Sequence, residues 1–384
     1  MPVPFRHDDS DELRMMLDTV DRFMARHLPP EDVRRRDRDH RAPFDLLPLL
    51  GDTGLLALPF PRTYGGAELP WTIVCRVEER LGYLGAMLGT LYDMTVCFGG
   101  MSLMSYGSEA QRRAYLPALI QGRLKFALAL TEPTAGSDAA GIRTRARRTD
   151  GGWLVSGRKI WSSNAGHSDF MVTPCRTDPD AKGHRGVTML LIPPKAKGVH
   201  MTELPKVGNN TLSSWDIGLD EVLVADDMVM GEVHNGFRNL MSTLHYARAG
   251  LAASATGQAQ LAVDLSLAHA RERVQFGQPI GKFQVIAHRL ADMQMRVDQA
   301  RYATYHLAEL ISRDLPCRRE AAQAKVIATE ALQYVTHHGM QIMASAGYSL
   351  DSDMQRLWRD ARLYTFGEGS NEIQRNIIAK ELGL

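Results

Sequence analysis

Apolar positions recur with a helical period from residue 10 onward. Leu13, Met16, Leu17, Val20 and Met24 stand at i, i+3, i+4, i+7 and i+11, one stripe of an amphipathic helix. Ser10 or Asp9 fits its start, because either side-chain oxygen accepts from a first-turn N–H. A second helix is predicted over 43–52, ended by Gly51 and Gly54. The run Pro61-Arg62-Thr63-Tyr64-Gly65-Gly66 then breaks the chain. Residues 71–120, rich in Leu, Met and Ala, read as two or three helices, with Gly107-Ser108 as a break and cap. Residues 1–125 are therefore expected to form an all-helical unit.

The period shortens over 126–235. An apolar run at 126–130 leads into a Gly/Ser/Thr loop. Asp150-Gly151-Gly152 then marks a hairpin turn, since Gly tolerates the positive φ that tight hairpins need. Trp153, Leu154, Val155, Ile160 and Trp161 have the β-branched and aromatic content of strands. Residues 187–192 and 216–224 are further short strands, and 178–185 is a polar loop between them. The spacing predicts a small antiparallel β domain.

Helical periodicity returns at Asn235-Gly236. Phe237, Leu240, Met241 and Leu244 form one stripe, and Ile286, Leu290, Met293 and Val297 another, with Pro279-Ile280-Gly281 between them. Leu315-Pro316 precedes a third helix to about residue 338, and a last one starts near Ser370. The chain has no internal repeat or low-complexity tract. The fold class is α+β: a helical domain (1–125), a middle antiparallel β domain (126–235) and a C-terminal helical bundle (236–384).

Composition narrows the function. A chain of 384 residues that is 44% hydrophobic buries a sizeable interior as two or three subdomains. Its formal net charge of +1 offers no bulk attraction for nucleic acid or an anionic membrane. No apolar run is expected to reach membrane-spanning length. The N-terminus, polar and acidic after Arg6, does not read as a signal or transit peptide. Cys75, Cys97, Cys175 and Cys317 are scattered without C-x-x-C spacing, which favours reduced, buried thiols and a cytoplasmic location. Among 13 histidines there is no H-E-x-x-H, and no metal site is expected.

The chemistry concentrates in two places. In the loop after residue 130, Thr131, Ser137 and Ser163 offer hydroxyls. Gly136 lets a ligand approach the backbone, and Trp161 offers a flat apolar face. A planar, hydrogen-bonding heterocycle suits such a set. Near the C-terminus Glu368 stands between Gly367 and Gly369, just before a helix that Ser370 caps. Burial beside an apolar ligand would raise its pKa towards the range of a general base.

The sequence TEPTAGSD (131–138), followed by KIWSSNAG (159–166), resembles the flavin-binding middle of the acyl-CoA dehydrogenases, which carry TEPxAGSD and W-I-T/S-N-x-G. The turn at 61–66 is similar to the family's P-E-x-Y-G-G, and Phe366 to Gln374 to its I-Y-E-G-T-x-x-I-Q. The resemblance implies a FAD enzyme that dehydrogenates an acyl-CoA thioester to a trans-2-enoyl-CoA. Glu368 would be the base that takes the α-proton, flavin N5 would accept the hydride from the β-carbon, and the N–H of Glu368 would help to hold the thioester oxygen. Relatives that place the base on an earlier helix do so at the position of Ala247 here, just before Arg248, so Glu368 stands alone in that role.

The same resemblance assigns flavin contacts to Leu128, Leu130, Thr131, Gly136, Ser137, Trp161, Ser163 and Ser370. It assigns substrate contacts to Ser137, Arg248, Gly367 and Gly369. The stretch 273–284 resembles R-x-x-F-G-x-x-I-x-x-F-Q, whose Arg, Phe and Gln, here Arg273, Phe276 and Gln284, reach the FAD of a neighbouring subunit. A homotetramer, a dimer of dimers, is therefore expected. Gln341 and Ser345 belong to a partial match to Q-x-x-G-G-x-G, in which Ala344 and Ser345 replace the paired glycines. Arg359-Asp360 reads as a structural pair. An electron-transfer flavoprotein is the expected electron acceptor.

Gly367 and Ala247 leave room beside the reacting carbons, and His245 and Tyr246 add polar groups. A branched, aromatic or polar acyl group is therefore expected in preference to a plain medium chain. The alternatives within the fold are an enoyl-CoA reductase, an oxidase or monooxygenase, and a dehydrogenase acting on an acyl-carrier protein. Outside them stands a non-catalytic helical scaffold, which would bind no flavin.

Overall fold

The structure is a computed structural model, and it describes residues 10–384. Asp9 and the N-terminal segment read above for targeting signals lie outside the described residues. The predicted stripe forms α1 (Asp11–His27), and Ser10 Oγ accepts from Leu13 N–H at 3.2 Å. Helices α2 (Pro30–Arg38), α3 (Leu47–Asp52), α4 (Trp71–Tyr92), α5 (Met101–Tyr106) and α6 (Glu109–Ile120) complete the N-terminal part. A π-helical segment, Asp93–Gly100, joins α4 to α5. Ser108 and Gln111 close a reciprocal capping box on α6.

Helix α2 was not legible as a stripe. Its sequence PEDVRRRDR has one apolar residue, Val33. Ion pairs hold it instead, Arg34 to Asp353 at 2.8 Å and Arg36 to Asp45 at 2.7 Å.

The middle part is one mixed sheet. Its strands are β1 (Phe126–Leu128), β2 (Arg145–Thr149), β3 (Gly152–Ser163), β4 (Phe170–Arg176), β5 (Val187–Ile192), β6 (Val199–Glu203), β7 (Ser214–Ala225) and β8 (Val229–Met230). The order is β6-β7-β3-β2-β4-β5-β8, with β1 beside β4. Most neighbours are antiparallel, as expected, but β4 runs parallel to both β1 and β2. The reason is topological: the chain crosses the domain between these strands instead of turning back in a hairpin. The predicted hairpin at Asp150-Gly151-Gly152 is present between β2 and β3.

The C-terminal part holds α7 (Gly236–Glu272), a small hairpin of β9 (Val274–Gln275) and β10 (Gln278–Pro279), α8 (Gln284–Ser312), α9 (Arg318–Met343), the one-turn α10 (Ser345–Tyr348), α11 (Asp353–Tyr364) and α12 (Asn371–Glu381). The third predicted helix thus runs past residue 338. Helices α4 and α7 cross very closely. A Cβ at Gly82 would lie 2.5 Å from the Ser254 carbonyl oxygen, and one at Gly257 would lie 2.0 Å from that of Glu79, so only glycine permits the crossing. Small residues on α7, among them Ala249, Ala252, Ala253 and Ala255, are buried along the same line.

Contrary to expectation, one helical stretch among the described residues, Trp71–Tyr106, holds an 18-residue window apolar enough to cross a membrane. In this fold 78% of that window is buried, so α7 and the N-terminal helices cover its apolar surface. All four cysteines are buried free thiols.

Candidate active site

Glu368 lies in the turn between α11 and α12. Its φ of 54° is left-handed, a conformation costly for a non-glycine residue and held here by its surroundings. Gln374 Nε2 donates to the carbonyls of Glu368 at 3.3 Å and Gly369 at 3.1 Å. Lys325 Nζ, from α9, donates to the Gly369 carbonyl at 3.1 Å and to Asn371 Oδ1 at 2.8 Å. Ser370 caps α12 as predicted, accepting from Ile373 N–H at 3.4 Å, and Glu372 is exposed. The turn is therefore fixed at both ends, and Glu368 Oε2 is buried without a hydrogen-bond partner.

The surroundings of this carboxyl set its charge. Burial raises its pKa, while the cationic Arg248 and Lys325 oppose the rise. Lys325 is itself pulled down to about 8 by burial. Arg248 is only 7% exposed and its Nε has no partner. Beside them Ala247 is wholly packed, and Gly367 has open space where a side chain would project, apart from the Leu363 carbonyl 3.3 Å away. His245 packs against Tyr246 with ring centres 3.9 Å apart and planes tilted by 41°, and burial lowers the pKa of its imidazole.

The second cluster joins the two sequence motifs of the β domain. Ile160 N–H donates to the Thr131 carbonyl at 2.8 Å. Lys159 Nζ, with no exposed surface, pairs with Glu132 Oε1 at 2.9 Å and donates to the carbonyls of Leu130 and Pro174. Glu132 also accepts the N–H groups of Arg143 and Thr144. Neither Glu132 nor Lys159 was singled out in the sequence, although both lie inside the motifs. Their pairing was not legible because buried charges become partners only in three dimensions.

A register shift in β3 lies between Lys159 and Ser162. It leaves Trp161 at φ 61° and 53% exposed, with its ring free to meet a ligand. Leu128, Leu130, Thr131 and Ser163 are half-buried around it, and Gly136 and Ser137 are exposed. A Cβ on Gly136 would meet nothing within 4 Å.

The remaining candidates stand apart on the surface. Arg273 is exposed at the end of α7, Phe276 is 93% exposed at the tip of the β9–β10 hairpin, and Gln284 is exposed at the start of α8. Gln341 and Ser345 are exposed around the end of α9. Between them Ala344 is forced to φ 50°, ψ −131°, backbone that favours the glycine it replaces. Arg359 pairs with Asp37 at 2.5 Å and reaches Asp360 only at 4.0 Å, while Asp360 accepts from Asn209 N–H. The expected Arg359–Asp360 pair is present at 4.0 Å, and Asp37 is the closer partner of Arg359.

An exposed aromatic face beside hydroxyls and open glycine backbone fits a flavin ring, and a buried carboxylate opposed by cations fits a base. The helical, β and helical parts around them define a class of flavin-dependent oxidoreductase. Family models describe the same order: acyl-CoA dehydrogenase N-terminal domain over 10–123, middle domain over 127–222 and C-terminal domain over 234–383. The chain belongs to the acyl-CoA dehydrogenase family, whose enzymes depend on FAD.

A probable acyl-CoA dehydrogenase of Bacillus subtilis (strain 168) is 33% identical over 97% of this chain and 98% of its own length. The short-chain specific acyl-CoA dehydrogenase of Homo sapiens mitochondria is 32% identical over 96% of this chain and 89% of its own. A subunit of the caffeyl-CoA reductase–Etf complex of Acetobacterium woodii is 32% identical over 96% and 98%. The structure of butyryl-CoA dehydrogenase from Megasphaera elsdenii superposes with a TM-score of 0.94 at 30% identity, covering 99% of this chain and all of that one.

Proposed function

We propose that the chain removes two hydrogens from an acyl-CoA thioester to give a trans-2-enoyl-CoA, with Glu368 as the α-proton acceptor. The observation that carries this reading is the buried Glu368 carboxyl, flanked by Arg248 and Lys325 with Asp93 in hydrogen-bonding reach, whose Oε2 has no partner among the described residues. A carboxylate in that position keeps its basicity because burial penalises its charge, and the two cations keep a fraction ionised. Its own backbone N–H makes no hydrogen bond among the described residues and is available to the thioester oxygen. Bound FAD supplies the acceptor for the hydride that leaves the β-carbon. Leu128, Leu130, Thr131, Gly136, Ser137, Trp161, Ser163 and Ser370 would hold it from one chain, and Arg248, Gly367, Gly369 and Ser137 would line the thioester.

Arg273 and Phe276 project from a hairpin, and Gln284 is exposed where α8 begins. Among the described residues none of the three side chains has a polar partner. Together with the exposed Val285 and Met295 on α8, they support a homotetramer in which they and Gln341 and Ser345 complete a neighbour's FAD site. An electron-transfer flavoprotein is the proposed acceptor of the electrons.

Open space at Gly367 and the short Ala247 favour a branched, aromatic or polar acyl group. Anaerobic titration with a panel of acyl-CoA thioesters, followed by flavin absorbance, tests the reading. Bleaching by one acyl class supports it, and better turnover of straight butyryl or octanoyl chains removes the substrate preference. A flavin bleached by none, whose reduced form is reoxidised by an enoyl-CoA, assigns the reductase direction. A chain that takes up no FAD overturns the enzyme reading.

A further inference from the structure

Inward of Glu368, between α4, the π-helical segment and α7, runs a line of buried polar groups that the proposed reaction does not use. Asp93 opens the π-helical segment and is 4% exposed; Cys97 hydrogen-bonds to its carboxyl, and Oδ1 has no partner among the described residues. It sits against Gly250 of α7, where a Cβ would come within 2.2 Å of Asp93 Oδ1 and 2.8 Å of Cys97 Sγ. Only glycine there leaves space for the carboxyl. The Asp93 and Glu368 carboxyls lie within hydrogen-bonding reach of each other.

Behind Asp93 stands Glu78, wholly buried, with the Ser254 hydroxyl as its one hydrogen-bonding neighbour among the described residues. Helix α4 breaks at Gly85, and a Cβ at Gly89 would lie 3.3 Å from Glu78 Oε1 and 3.0 Å from Ser254 Oγ. Tyr92 Oη and Gln258 Oε1 are likewise buried and unpartnered, and Tyr92 has no exposed surface. The charges acting on this pocket are unbalanced. Arg248 and Lys325 act on Glu368. Among the described residues the titratable groups that act on Asp93 are Glu368 and Cys97, the one that acts on Glu78 is Asp93, and none is a cation. Burial pushes both carboxyls well above the usual carboxylate range.

An alkyl chain laid along these atoms would offer none of them a hydrogen bond. Two carboxyls without a counter-cation, joined by a phenol and an amide oxygen, are instead complementary to a hydrogen-bond donor that carries positive charge. We propose that the acyl group of the substrate bears a basic nitrogen, whose ammonium is held by Asp93 with Glu78 behind it. The proposal rests on the reading of Glu368 as the base at the thioester, and names the substrate class of that same site.

The test uses three isosteric thioesters on the FAD-loaded protein: 4-(dimethylamino)butanoyl-CoA, 5-methylhexanoyl-CoA and 5-hydroxyhexanoyl-CoA. Binding to the oxidised protein is measured by calorimetry, apart from any flavin bleaching. The ammonium probe should bind about tenfold or more tightly than the alkyl isostere, the size of one charge-assisted hydrogen bond. Asp93→Asn and Asp93→Ser should each bring that ratio to within about threefold. Equal or tighter binding of the alkyl or hydroxyl probe by the unaltered protein overturns the proposal, as does a ratio unchanged in a folded Asp93 variant. Alkyl thioesters that bleach the flavin while the ammonium probe fails to bind sink this inference and leave the dehydrogenase standing. The ammonium probe binding tightly, with no thioester bleaching the flavin, does the reverse.

Discussion

Replacing Lys159 with Met should both destabilise the chain and loosen its flavin. Lys159 has no exposed surface, and Glu132 keeps 4% of its side chain exposed, so neither charge is solvated. At their 2.9 Å separation, an effective dielectric of about 20 gives a gross attraction of about 6 kcal/mol. Desolvation offsets part of this, and removal of one partner of such a buried pair costs about 3–5 kcal/mol. The two N–H groups that Glu132 accepts from Arg143 and Thr144 remain, which places the expected loss near the lower end.

Because the pair ties the loop at 131–138 to the strand that carries Trp161, the variant should also release FAD more readily. The double variant Glu132→Gln, Lys159→Met removes both charges and should recover part of the loss, giving a coupling of about 2 kcal/mol or more. Urea unfolding followed by tryptophan fluorescence, with flavin content measured alongside, provides the cycle. A loss under about 1 kcal/mol with additive single effects would refute the reasoning. Acid adds a second check. Burial pushes the Glu132 carboxyl up, but Lys159 and the N–H donors outweigh it and hold its pKa below the ordinary value. Its contribution is therefore full above the unfolded carboxylate pKa and is lost as pH falls through the folded one. Without Lys159 the folded pKa rises, so flavin loss should begin at higher pH.

Glu368→Gln should lower the rate of flavin reduction by about 10²–10⁴-fold and leave the oxidised spectrum intact, measured by anaerobic stopped flow. Lys325→Met removes a cation that favours the ionised Glu368, so the acid limb of the reduction rate should move to higher pH; a limb that stays or falls would contradict the assigned contact. Ala344→Gly relieves a positive φ of 50° and should gain about 1 kcal/mol in urea unfolding, since strained non-glycine backbone costs about 1–3 kcal/mol. Arg273→Gln, at an exposed residue whose side chain has no partner among the described residues, should leave the fold unchanged but lower the FAD content of the assembled protein, read by the ratio of flavin to protein absorbance after gel filtration.

Much of the fold was legible where one residue pattern had one solution. The α1 stripe and its Ser10 cap, the Asp150-Gly151-Gly152 hairpin and the cap at Ser370 stand where local spacing and turn chemistry put them. Helix α11 carried a signal that went unread, with Met354, Leu357, Ala361 and Tyr364 on one buried face. Helix α2 carried none, because ion pairs with distant residues hold it. The candidate base and the flavin loop were recognisable from motifs. Their supports, Glu132 with Lys159 and Lys325 with Asn371, were not, since a charged residue in a strand or helix reads as solvated until its partner is known.

The sequence by itself determined the order of helical, β and helical parts, the turn that presents Glu368 and the loop that presents Trp161. These depend on periodicity, glycine and capping, which act over a few residues. Only the tertiary structure decided what surrounds the base. Residues 93, 248, 325 and 368 are far apart in the chain, and the burial that raises one carboxyl's pKa, the cations that oppose it and the second carboxyl at its side exist only once α4, α7 and α9 close around it. Electrostatic character of that kind is a property of distance and dielectric, and neither is defined until the chain has folded.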